Sequence, residues 1–380
     1  MEVVRRSRAF GVSQRAGPRT PRGRAAKLGS AWRLALYAGL PLISLGGHLY
    51  TAESRGIVAV NLHHAFLDAA AAVVHGRTPY PPLHSAIIGS GTAYVYPPLI
   101  AYLLTPLLLV SRGVAIWVGT AAMIALLVGA LRILGVRDWR CYGLALLWLP
   151  TLSAVQTANL SIPLLFALAV CWRYRDRVRG ALVVGAAVAA KVILWPVVVW
   201  LIATRRYRQA AIAIAAAGAL VIVPWALLRF QGAATYWQLT REMERIMGPH
   251  SYAAATLLTR LSVTHRTAAA IAIGLAVLAF ATAAARRGAE ARSFSLAVLA
   301  SILLSPVVWL HYFVMLAAPI AIYRPRLGPA WILPLAFWFC PTATANGAGT
   351  SGSAWQIALA LSVAGLIAFA VRGDTLPAFR

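Results

Sequence analysis

Residues 173–208 read RYRDRVRGALVVGAAVAAKVILWPVVVWLIATRRYR, and this run decides the fold class. Between the two arginine clusters, residues 180–204 carry a single charge, Lys191. About 20 apolar residues suffice for a helix to cross a bilayer. Arginines on both flanks place both ends on the inner side by the positive-inside rule, yet the stretch is too short to cross twice. A re-entrant helical hairpin is expected, broken near Lys191 to Pro196. Proline removes a helical hydrogen bond, and such irregular backbone is tolerated only against protein or a cavity.

The rest of the 380 residues extends this pattern, being 61% hydrophobic and 12% charged with a mean hydropathy of +0.74. A soluble domain cannot carry that composition on its surface. Further apolar runs lie near 34–50, 94–111, 114–131, 141–157, 158–172, 209–229, 267–285, 293–309, 312–323, 328–342 and 353–371. The reading is an all-α, polytopic membrane protein with about 10 to 12 membrane helices and one or two re-entrant segments. The run 94–111, opening on Tyr-Pro-Pro, is the other candidate for lying along the interface instead of crossing. Residues 1–33 are too basic and too poor in apolar side chains to fold, and are expected to form a disordered cytosolic tail. Residues 34–372 make the transmembrane domain and 373–380 a short cytosolic end. No cleavage site follows the first apolar run, so 34–50 is read as a first span.

The formal net charge is +26, and Lys27 and Lys191 are the only lysines. A nucleic-acid binder would gather its arginines into a patch or stripe. Here they fall between apolar runs, at 132–140, 173–179, 205–208, 286–292 and 324–326, which excludes nucleic acid as the partner and marks inner loops. Both termini are then cytosolic, and the two long loops, 51–93 and 230–266, are external. The three cysteines are scattered and indicate neither a disulfide framework nor a metal site.

Five of the nine acids fall among inner arginines. Of the outer four, Glu242 and Glu244 alternate with Arg241 and Arg245, as on a solvated, salt-bridged helix face. Asp68 differs: it lies in an apolar helix spanning Ile57 to Val74, where low polarity would raise its basicity. That makes it the candidate general base, against the alternative of a surface carboxylate paired with His64 one turn earlier. On this helix His64, Asp68 and His75 share a face, and with His63 they could also be read as a weak metal site. Lys191 calls for an anionic partner such as a lipid phosphate, unless it snorkels to the interface. His311 ends a span beside Trp309 and Tyr312.

These elements resemble the polyprenyl-phosphate-sugar-dependent glycosyltransferases of the C superfamily, specifically family 87. The resemblance runs through Gly76-Arg-Thr-Pro-Tyr80, Tyr94-Val-Tyr96-Pro-Pro98, Gln156-Thr-Ala-Asn159, Ala190-Lys191 and Ser305-Pro-Val-Val-Trp309-Leu-His311-Tyr312. Tyr312 stands where that last element has a second His, and His250-Ser251-Tyr252 stands where Asn-Gln-Ser is expected before Arg260. The resemblance implies an inverting transfer of mannose from a polyprenyl-phosphate donor to a lipid-linked glycan acceptor, on the outer face of the plasma membrane, with Asp68 as base. Substrate-binding roles are then expected for His64, Tyr80, Tyr96, Asn159, Lys191, Ser251, Arg260 and His311. No cofactor or metal is expected, since cationic side chains can neutralise one lipid phosphate. An arabinofuranosyl donor is the alternative within the class, and a transporter with Lys191 as counter-ion the alternative outside it.

Overall fold

The computed structural model describes residues 31–340 and 352–370. The expected tail, apart from its last three residues, and the expected cytosolic end lie outside the described residues. Among the described residues every regular element is a helix, without a strand.

The α-helices are α1 (Leu40–Ser54), α2 (Leu67–Val74), α3 (Ala86–Gly89), α4 (Leu99–Leu103), α5 (Arg112–Ile133) and α6 (Trp139–Leu147). There follow α7 (Leu149–Thr157), α8 (Ser161–Arg173), α9 (Val178–Ala190), α10 (Trp195–Ala203), α11 (Tyr207–Leu227) and α12 (Ala233–Met247). The chain continues with α13 (Ala254–Arg260), α14 (Arg266–Arg286), α15 (Glu290–Leu303), α16 (Ala317–Tyr323) and α17 (Ala354–Ala370). By length and composition α5, α11 and α14 can each cross a membrane alone. A fourth span results if α7 and α8, bent by 113°, form one broken crossing. The bend falls at Ala158, whose φ of 47° ends α7 in a left-handed turn.

Several expected spans are broken into shorter pieces, and the breaks follow the prolines and polar caps. Of the run 328–342, the described residues 328–340 hold only 3₁₀ turns, Pro329–Trp331 and Leu333–Phe339, each with Pro in its first turn. The stretch 94–111 holds α4 and a 3₁₀ turn, Thr105–Leu109, separated at Leu104. Residues 180–204 break where expected: α9 stops at Ala190, Lys191 is extended at φ −156° and ψ 113°, and Pro196 opens α10. Pro is well suited to a helix's first turn, where its missing N–H costs nothing.

In the apolar interior, helices approach through small residues. Gly185 of α9 faces α11, and a Cβ there would stand 2.5 Å from the Ala213 carbonyl oxygen and 2.8 Å from the Ala216 Cβ. Neither neighbour is a flexible side chain, so the helices would have to part. Gly185→Ala is therefore expected to cost about 1–3 kcal/mol, read as a lower melting temperature of the purified protein. An unchanged melting temperature would refute this packing.

Where the turns before α9, α11 and α15 meet, arginines and acids interlock. Glu290 accepts from Arg175 Nε at 3.0 Å and Arg206 Nη2 at 2.6 Å, while Arg206 Nε donates to Asp176 at 2.7 Å. Asp138 caps α6 and pairs with Arg140, which holds its carboxyl down at about 2.

Candidate active site

The first long loop begins with a π-helical turn, Asn61–Phe66, that runs into α2. After it, the segment from Tyr80 to Pro98 is held by aromatic packing. Tyr80 stacks on Trp225 at 5.4 Å and lies 5.2 Å from Tyr236 and 5.8 Å from Tyr94. Its hydroxyl donates to the Tyr96 carbonyl at 2.9 Å, and the Tyr236 hydroxyl donates to the Val95 carbonyl at 3.2 Å. Burial raises the phenol of Tyr80 and pushes that of Tyr236 up to about 12, so both stay protonated and donate at neutral pH. Tyr94 completes the turn by donating to Pro97 O at 2.6 Å and accepting from Ala101 N at 3.2 Å.

The same segment is tied to α12 by Glu242. The sequence suggests a solvated carboxylate there, but Glu242 is only 8% exposed. It accepts from the His84 backbone N–H at 3.1 Å and is 2.9 Å from His84 Nδ1. The helix face carrying Leu239 and Glu242 packs inward, and the partner lies 158 residues away in sequence. Removing Glu242 takes away both contacts to His84, and a hydrogen bond to a charged group contributes about 1.5–3 kcal/mol. Glu242→Ala is expected to speed hydrogen exchange across residues 82–92; unchanged protection there would show that the contact does not hold the loop.

Between these elements lies a cavity of about 310 Å³. One end is the α9–α10 break, Lys191 to Ile193 and Trp195; around it stand Tyr96, Tyr236, Met243, Trp309 and Tyr312. The Lys191 ammonium donates to the Tyr312 hydroxyl and stands 3.8 Å from that ring's centroid and 5.5 Å from that of Tyr96. Among the described residues no carboxylate pairs with it. An aromatic-flanked ammonium at a break in an apolar helix offers a cavity-facing cation to an anionic ligand.

Of the sequence candidates, Tyr96 and Lys191 line this cavity and Tyr80 supports its wall. Asn61 and Ala65 line it from the π-helical turn. Asp68 lies on α2, one turn beyond Ala65, 51% exposed and bonded to Arg112. That corrects two expectations, because the carboxylate is neither in a low-polarity setting nor paired with His64. His64 is exposed and its ring lies 4.0 Å from that of His63. Burial, then His64 and Arg112, hold the His63 imidazole below its usual range. His75 turns its Nδ1 to the Ala71 carbonyl at 2.7 Å. Among the described residues no three His, Cys, Asp or Glu side chains are grouped as a metal would need, so His63, His64, Asp68 and His75 do not form one site.

Asn159 and Ser251 do not line this cavity and make local hydrogen bonds instead. Asn159, 2% exposed, accepts from Ser161 N at 2.8 Å and donates to Thr157 Oγ1 at 2.6 Å. Ser251, 1% exposed, lies 3.0 Å from Thr256 Oγ1 and accepts from Ala253 N at 3.3 Å. Arg260 is exposed and reaches the Pro249 carbonyl at 3.4 Å. His311 is buried within a 3₁₀ turn, Leu310–Leu316, instead of standing at the surface, with its ring 5.1 Å from that of Tyr312. Trp309, Tyr312 and Tyr236 are among the cavity residues to which the sequence reading gives no binding role. Trp309 and Tyr312 stand out in the sequence only as neighbours of His311.

A family model matches residues 94–306, more than half of the chain, and its description is glycosyltransferase family 87. No curated protein and no solved structure matches the chain.

Proposed function

From the premise that the chain belongs to glycosyltransferase family 87, and is therefore a membrane glycosyltransferase, we propose that it transfers mannose from a polyprenyl-phosphate donor to a lipid-linked glycan acceptor. The transfer takes place on the external face of the plasma membrane, with both termini cytosolic and the loops 51–93 and 230–266 outside. The observation that carries this reading is Lys191, an ammonium opening on the cavity from a helix break without a carboxylate partner among the described residues.

The chemistry follows from charge. The donor is a phosphodiester with one negative charge. As the bond from the sugar C1 to the phosphate oxygen breaks, the polyprenyl phosphate gains a second. A cation beside that oxygen is worth more in the transition state than before it, so Lys191 accelerates the step and does not merely bind. Asp68 takes the proton of the acceptor hydroxyl as that oxygen attacks C1 from the opposite face, and configuration inverts. Arg112 holds the Asp68 carboxylate until the acceptor hydroxyl replaces it as donor. Tyr96, Trp309 and Tyr312 offer aromatic faces against which a pyranose packs.

Purified protein in nanodiscs, given radiolabelled polyprenyl-phosphate-mannose and a lipoglycan extract, is expected to label the acceptor, and to give no label from a soluble nucleotide-mannose. Labelling from the nucleotide sugar alone would overturn the lipid-donor reading.

A further inference from the structure

A second groove lies away from the cavity and shares no residue with it. Helices α14 and α15 are joined by a tight turn at Arg287–Ala289, with Gly288 left-handed at φ 78°. Together with the last turn of α17 they enclose about 260 Å³. The lining divides by chemistry. Phe280 of α14 and Phe369 of α17, 64% and 45% exposed, form an apolar half with buried Leu296 beneath. Arg287 and Arg292, both exposed, form the other.

The nearest acid in sequence is Glu290, and its two carboxylate oxygens are taken by Arg175 at 3.0 Å and Arg206 at 2.6 Å. None of the ion pairs among the described residues includes Arg287 or Arg292. The groove thus sets two guanidinium groups, without a carboxylate partner among the described residues, beside two exposed aromatic rings, at the end of a helix long and apolar enough to cross a membrane. Guanidinium groups match the oxygens of a phosphate in a fork geometry, and basic pockets between membrane helices hold anionic headgroups. A free phosphate would leave the Phe280 and Phe369 half empty, whereas a lipid fills both halves, with headgroup on the arginines and acyl chain on the rings.

We propose that this groove is a binding site for an anionic glycerophospholipid of the adjacent leaflet, separate from the sugar-transfer cavity. The site does not depend on which sugar or donor the enzyme uses. It joins the turn between α14 and α15 to the end of α17 through a molecule of the membrane itself.

The test is native mass spectrometry of the full-length protein in detergent with equimolar phosphatidylglycerol and phosphatidylcholine. The wild type is expected to retain phosphatidylglycerol preferentially. Arg287→Ala/Arg292→Ala is expected to reduce that retention about tenfold, since each basic group near a lipid phosphate contributes severalfold. Arg324→Ala/Arg326→Ala, which removes two arginines that do not line the groove, is the control and should retain the lipid. Equal retention of the two lipids by the wild type, or equal loss in both double variants, would overturn the site in favour of diffuse surface charge. Displacement of the lipid by free glycerol phosphate would overturn it in favour of a soluble anion. Both arginines of the tested pair are exposed, so an unchanged melting temperature is expected and keeps a null result interpretable.

Discussion

Asp68→Ala is expected to abolish transfer almost completely, with a loss of about 10²- to 10⁴-fold in kcat, the usual contribution of a positioned general base. Its melting temperature should barely move. The Asp68–Arg112 pair is half-exposed on both sides, at 51% and 47%, and pairs of that kind contribute little to stability. The combination of lost activity and kept stability separates a catalytic carboxylate from a structural one. Asp68→Asn is the sharper variant, because it keeps size and hydrogen bonding but cannot take a proton at neutral pH. Near wild-type turnover by Asp68→Asn would remove Asp68 from the mechanism and leave the family assignment untouched.

Lys191→Met is expected to lose about ten- to a hundredfold, the worth of one hydrogen bond to a charged group. The loss should appear more in kcat than in KM for the donor, because the phosphate gains its second charge only as the sugar leaves. Methionine matches the apolar stem of lysine and fits the aromatic wall of Tyr96 and Tyr312, so the fold is expected to tolerate it. A rise in KM with kcat unchanged would mean that Lys191 binds the donor without assisting departure of the phosphate. Unchanged kinetics would move the phosphate elsewhere in the cavity.

Lys191 was also the most legible part of the site. A lone lysine amid apolar residues, five before a proline, announces both a break and a buried cation, and both are local properties of the chain. Tyr96 was legible for the same reason, since Tyr-Pro-Pro forces an irregular segment whose aromatics must pack on something. What was not legible depends on distant partners. Glu242 looks solvated beside its arginine neighbours, and only the fold brings His84 to it. Asp68 looks paired with His64 because they are four apart, yet Arg112, 44 residues on, takes the carboxylate. Asn159 and Ser251 sit in motif-like stretches, but each spends its polar atoms on its own next turn, a competition that local sequence always offers to Asn and Ser. The number of crossings was the least legible, because composition marks where a segment is apolar and says little about where its helix stops.

The break at Lys191 also has an electrical side. Where α9 stops and the 3₁₀ turn Val192–Leu194 begins the run into α10, the leading N–H groups have no preceding turn to bond to. The peptide dipoles of that second half add up to a partial positive charge of about half a unit at its start. Val192 and Ile193 bring this end to the cavity lining, so backbone and side chain present positive potential from the same few residues. A lipid phosphate held there would be met by a field that no side-chain substitution removes, which is why Lys191→Met should retain measurable donor binding.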